Sequence, residues 1–109
     1  MPTPVARTLE HVEAMSLDAL HAGISWDFET FPEYLESVER RGTLLNFGAF
    51  VGHTAVRLFV MGDDAYERAA TEAEIDAMQA VVADALASGA FGFSTSLNPA
   101  HQGAEGRPV

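Results

Sequence analysis

Four histidines, His11, His21, His53 and His101, stand among sixteen carboxylates in a chain without cysteine. The lack of cysteine removes any thiolate nucleophile, thiolate metal ligand or disulfide. His11 and His21, with Glu10, Glu13 and Asp18 around them, match no recognised metal-ligand spacing and are expected to be surface histidines. His53 and Arg57 share the run Gly52-His53-Thr54-Ala55-Val56-Arg57. That pair can line a pocket and meet a substrate carboxylate, which a guanidinium grips through two parallel hydrogen bonds. The plainer roles are a His53 bonded to neighbouring loop backbone and an Arg57 paired to a nearby acid. Ser94-Thr95-Ser96 offers hydroxyls to a ligand, with Ser94 and Ser96 as the candidates. No Gly-x-Ser-x-Gly elbow surrounds them, which argues against a nucleophilic serine.

These side chains need elements to hold them. Thr8 to His21 carries Leu9, Val12, Met15, Leu17 and Leu20 at mixed spacings and reads as a helix or helical turns. Thr30-Phe31-Pro32-Glu33 places a hydroxyl at an N-cap, proline in the first turn and a glutamate able to close a capping box. The helix that follows is expected over Phe31 to Arg40, burying Phe31, Tyr34, Leu35 and Val38 and stopping at Gly42. Leu44 to Val51 is a nearly continuous apolar run, expected to be a parallel strand covered on both faces. Ala55 to Met61 fits a short helix or a packed loop. Thr71 and Glu74 form a second capping box, opening a helix through Ile75, Met78, Val81, Val82, Ala85 and Leu86 to Gly89. Ala90 to Ser96 reads as a second buried strand, and a Gly/Pro-containing loop follows to Val109, with His101 exposed in it.

Strand, connection with a helix, strand is a βαβ unit, so the fold class is α/β with about two parallel strands and three helices. Two parallel strands leave both edges open and cannot cover their own faces, which points to part of a larger α/β assembly. The 109 residues form one unit, with 1–25 thinly patterned and 98–109 a loop. Trp26, Phe28, Phe31 and Tyr34 are expected to pack as an aromatic cluster, and Glu67, Glu72, Glu74, Asp76 and Asp84 to form a solvated face. The net charge of −10 argues against nucleic acid and anionic membranes as partners. No signal-peptide stretch opens the chain and no segment approaches the roughly 20 apolar residues of a membrane span. The cytoplasm is the default compartment.

Several landmarks recur in a fixed order. They are Trp26-Asp27-Phe28-Glu29-Thr30-Phe31-Pro32-Glu33-Tyr34-Leu35, Asn46, Val51-Gly52-His53 with Arg57, and Val60-Met61-Gly62. Arg68-Ala69-Ala70-Thr71, Glu74, Met78 and Ala85-Leu86-Ala87-Ser88-Gly89-Ala90-Phe91-Gly92-Phe93-Ser94-Thr95-Ser96 complete the set. This order resembles the N-acyl-D-amino-acid deacylase (D-aminoacylase) branch of the metal-dependent amidohydrolases, with the core of the resemblance over 26–97. The resemblance implies a (β/α)8 barrel several times longer than this chain, with a small β-sandwich beside it and zinc at the C-terminal ends of the strands. It also implies amide hydrolysis of N-acyl-D-amino acids by metal-bound water, with a carboxylate of the last strand moving the proton.

The family's His-x-His pair would precede this segment, its later histidines and catalytic aspartate would follow it, and its cysteine ligand has no counterpart here. The chain is therefore expected to be an interior barrel segment, inactive alone, with zinc belonging to the intact family and none expected in this chain. Relatives continue the hydroxyl stretch with Gly-Leu and an aromatic or arginine, where this chain has Leu97-Asn98-Pro99-Ala100-His101. The alternatives are a small acidic α/β interaction module that binds a partner or itself, and a split product complemented by another chain.

Overall fold

The computed structural model describes residues 16–97. The part of the expected first helix before Ser16, the loop 98–109, and with them His11 and His101, lie outside the described residues. A hydroxyl starts three of the helices. Ser16 Oγ accepts from the Ala19 amide at 3.2 Å to open α1 (Leu17–Gly23), and Thr30 Oγ1 accepts from the Glu33 amide at 3.3 Å to open α2 (Phe31–Arg41). Thr71 and Glu74 close a complete capping box at the head of α4 (Glu72–Ala87). Each such bond satisfies an amide that the helix itself leaves without a partner. In the box at α2, Glu33 reaches back to the amide of Glu29, one residue ahead of the cap.

Between α2 and α4 lie β1 (Phe50–Gly52), α3 (His53–Met61) and a 3-10 turn (Gly62–Tyr66), and β2 (Gly92–Ser94) follows α4. There are thus four α-helices among the described residues rather than about three, because Ala55 to Met61 winds together with His53 and Thr54 into a full helix. Val56, Leu58 and Met61 are buried from it, and Gly62, at φ 61°, ends it in a backbone conformation that L side chains rarely adopt. Gly42 ends α2 in the same way at φ 76°.

The strands pair in parallel, Phe50 with Gly92, Val51 with Phe93 and Gly52 with Ser94, as the βαβ reading requires. They are shorter than their apolar runs. Only one bond, from the Phe91 amide to the Ala49 carbonyl at 2.9 Å, extends the ladder beyond β1 and β2. Cover on both faces is also corrected: Leu44, Leu45, Phe47 and Phe50 are exposed, as are Phe91 and Phe93. The cause is geometric. Val51 packs with Val56 and Ala85, flanked by Phe31, Met78, Val81, Val82 and Ala90, and the described residues supply no second layer for the rest of the sheet. The α2 positions expected to be buried, Phe31, Tyr34, Leu35 and Val38, are half-buried, and the fully buried residue of that helix is Ser37.

The acid-rich run is more than a solvated face. Glu74 accepts both Nη groups of Arg68, at 2.7 and 2.9 Å, while Arg68 also reaches Asp64 at 3.0 Å. Those hydrogen bonds from Arg68, with the Thr71 amide, hold the Glu74 carboxyl down at about 2. A depressed carboxylate stabilises the fold above its unfolded value and loses that contribution as pH falls through its folded one. Replacing Glu74→Gln should therefore cost stability at pH 7, and the gap to wild type should close as pH drops from 4.5 towards about 2 in pH-stepped urea unfolding. Thr71→Ala should cost about 1 kcal/mol at pH 7 by the same measurement.

Candidate functional site

Parallel pairing brings the C-terminal ends of β1 and β2 to one side, where His53 begins α3 and Thr95 follows β2. His53 Nδ1 and Thr95 Oγ1 are hydrogen-bonded at 3.0 Å, and the imidazole lies 5.9 Å from the Phe93 ring. The partner of His53 is thus a side-chain hydroxyl across the sheet rather than loop backbone. Burial, and then the nearby Arg57 charge, push the His53 pKa below the ordinary 6.5. Ser94 and Ser96 are exposed at the same end of the sheet. Thr95, in the middle of that hydroxyl run, was not among the sequence candidates; its place one residue beyond the strand was the available signal.

The bonds of Arg57 run to backbone rather than to a nearby acid. Its Nη2 donates to the carbonyl of Ala65 at 2.8 Å and to that of Arg68 at 3.2 Å, tying α3 to the turn that follows it. A helix end that leaves carbonyls without amide partners is a natural acceptor for such a donor. Arg57 therefore positions backbone and is not paired to an acid by any of these bonds.

Along β1 lies a cleft of about 480 Å³, its walls including Trp26, Phe28, Tyr34, Phe50, Phe59 and Val81, with Glu29 and Asp84 also in the lining. The expected aromatic cluster forms one of its walls. Ring centroids are 6.1 Å apart for Trp26 and Phe28, 5.2 Å for Phe28 and Tyr34, and 5.8 Å for Phe31 and Tyr34. Phe47 joins through Tyr34 at 6.4 Å. Trp26 sits at φ 52°, and its indole Nε1 is buried without a hydrogen-bond partner among the described residues. Asp27 braces the wall, accepting from Ser37 Oγ at 2.7 Å and from Arg40 at 3.0 Å, and these two bonds, Ser37 first, lower its pKa. Arg41 adds a bond to the Gly23 carbonyl at 3.2 Å.

Among the described residues no group of three His, Cys, Asp or Glu side chains could hold a metal ion. His21 lies near Trp26, with ring centroids 6.4 Å apart, and His53 near Phe93. Zinc thus has no fitting donor set within residues 16–97. No described helix is long and apolar enough to cross a membrane.

The geometry at His53 makes a titration testable. In an NMR titration its midpoint should fall below 6.5, and Arg57→Gln should move it upward while burial still holds it below the ordinary value. Because the fold disfavours the protonated ring, the stability linked to His53 should be present above 6.5 and be lost as pH falls through the folded pKa.

No family model matches the chain, and no solved structure matches it. Three curated enzymes of Alcaligenes xylosoxydans xylosoxydans are similar to it. A D-aminoacylase is 43% identical over 79 residues, covering 72% of this chain and 16% of that enzyme. An N-acyl-D-aspartate deacylase is 42% identical over 79 residues, with the same coverage of 72% and 16%. An N-acyl-D-glutamate deacylase is 40% identical over 70 residues, 64% of this chain and 14% of that enzyme. The chain thus spans about 16% of the length of the first two relatives, and the similarity takes in most of the segment whose motif order was read above. At this identity over 79 residues the likeness is one of descent, and over that stretch the chain is similar to D-aminoacylases and N-acyl-D-amino-acid deacylases.

Proposed function

We propose that this chain represents a strand-and-helix portion of an amidohydrolase (β/α)8 barrel whose whole length hydrolyses N-acyl-D-amino acids, and that the chain alone does not catalyse. The observation that carries the reading is the parallel pair β1 and β2, linked through α3 and α4, with His53 and Thr95 bonded at the shared C-terminal end. In barrels and open α/β sheets that end is where ligands bind. The names of the three relatives support an N-acyl-D-amino-acid substrate for the longer protein.

In this reading His53, Ser94 and Ser96 lie at the substrate-facing rim, and Thr95 orients the His53 ring. Arg57 acts from behind by fixing the turn after α3. The zinc that the family implies would need donors from beyond residues 16–97, where no group of three His, Cys, Asp or Glu side chains gathers. No step of the hydrolysis is assigned to these residues. A cytoplasmic setting belongs to the same proposal and is supported by the absence of cysteine.

Purified 109-residue chain, incubated with zinc, desalted and offered N-acetyl-D-methionine, N-acetyl-D-aspartate and N-acetyl-D-glutamate, should retain no stoichiometric metal and release no amino acid. One zinc per chain together with turnover that a chelator abolishes would overturn the reading and return His11, His21, His53 and His101 to consideration as ligands.

A further inference from the structure

The bond between His53 and Thr95 continues the register of the sheet. Gly52 pairs with Ser94, and the residues that follow each of them meet through their side chains, Nδ1 to Oγ1 at 3.0 Å. Nδ1 is taken up by Thr95, and among the described residues Nε2 has no hydrogen-bond partner. The ring is half-buried, with the Phe93 ring 5.9 Å away. Nε2 is therefore the ring atom left to meet a ligand, and what it offers depends on where the imidazole proton sits.

A neutral imidazole carries one such proton, and burial together with the Arg57 charge disfavours a second. Three features place it on Nε2. His53 is the first residue of α3, whose opening has no side-chain cap, so first-turn amides present their positive ends there. Nδ1, bonded to the ring carbon that joins the side chain to the backbone, stands nearer to those amides than Nε2 does, and a lone pair suits that position better than a proton. A ring-nitrogen lone pair is also a stronger acceptor than a hydroxyl oxygen, so the bond is better made with the Thr95 O–H donating to Nδ1 than with Nδ1–H donating to oxygen. In that sense the hydroxyl proton finds its acceptor within the fold, whereas in the opposite sense no described residue accepts it. The branched β-carbon of threonine adds stiffness, holding Oγ1 in place at little further loss of rotamer freedom.

We propose that Thr95 is a positioning residue that donates its hydroxyl proton to Nδ1 of His53, fixing the ring as the Nε2–H tautomer and presenting a neutral N–H donor at the strand ends. Such a donor recognises an acceptor oxygen, a carboxylate or an amide carbonyl. With its lone pair absent, Nε2 neither ligates a metal nor takes up a proton, which gives His53 the part of a binding group rather than of a base. The assignment of that donor to an oxygen of the substrate rests on the deacylase reading, and the tautomer does not.

The test is two-bond 1H–15N NMR of the 15N-labelled 109-residue chain above pH 7. In the wild type, Nδ1 of His53 should resonate as an unprotonated ring nitrogen and Nε2 as a protonated one. Thr95→Ser should keep that pattern. Thr95→Val, which preserves the shape at an exposed position and removes the hydroxyl, should bring the two shifts closer together, toward those of a ring that exchanges between tautomers. The His21 signals, from a ring that lies near Trp26, should stay in place, and circular dichroism checks that the helices remain. A wild-type ring protonated on Nδ1, a Thr95→Val spectrum identical to wild type, or a Thr95→Ser variant that behaves like Thr95→Val would each overturn the proposal. Zinc-dependent turnover by the chain would instead overturn the reading of it as inactive alone and leave the tautomer standing.

Discussion

Ala85 is fully buried, and what sits on it is Val51 of the first strand and Val56 of the helix that follows. A methyl group at that point lets helix, strand and second helix approach closely, and dispersion among three small apolar side chains rewards the approach only while the spacing stays tight. The position of α4 against β1 follows from it, and α4 in turn delivers the chain to β2. With β2 in place, Thr95 meets His53. The hydrogen bond at the strand ends is thus downstream of a hydrophobic contact made by Val51 within β1.

Around that contact, charged side chains serve mainly as braces. Arg57 closes the turn after α3 through two carbonyls, Arg68 joins Asp64 to the head of α4, and Asp27 fastens the aromatic wall to α2 through Ser37 and Arg40. All three link segments separated in sequence by several residues, where backbone bonding alone leaves the connection loose. The exposed pairs among them contribute modestly in water, so their effect is on direction more than on stability.

Much of the fold was legible because caps are local. Thr30 with Glu33 and Thr71 with Glu74 act within one turn, and the residues at those spacings reveal the helix starts without reference to the rest of the chain. Gly42 is legible for the same reason. The strands were overread: Leu44 to Val51 has the composition of a covered strand, yet cover depends on layers that lie elsewhere, and a local pattern cannot report whether they are present. At the strand ends, His53 was legible from its place after the apolar run, whereas its bond to Thr95 depends on a register 42 residues away in sequence. The acceptors of Arg57 were not legible, because they are carbonyls, which every residue has and no sequence pattern marks. The cleft, assembled from β1, α2, α3, α4 and the segment before α2, was likewise beyond any one stretch of sequence.

Trp26 is the single tryptophan of the chain, with its indole nitrogen shut away from solvent and its backbone in a conformation that only packing can maintain. The molecule therefore carries its own optical gauge. Ultraviolet emission excited at the indole band arises from one site, at the junction of the aromatic wall and the cleft, and its colour registers the wetness of that junction alone. Loosening of the segment before α2, or filling of the cleft, becomes visible as a change in hue without a label being attached.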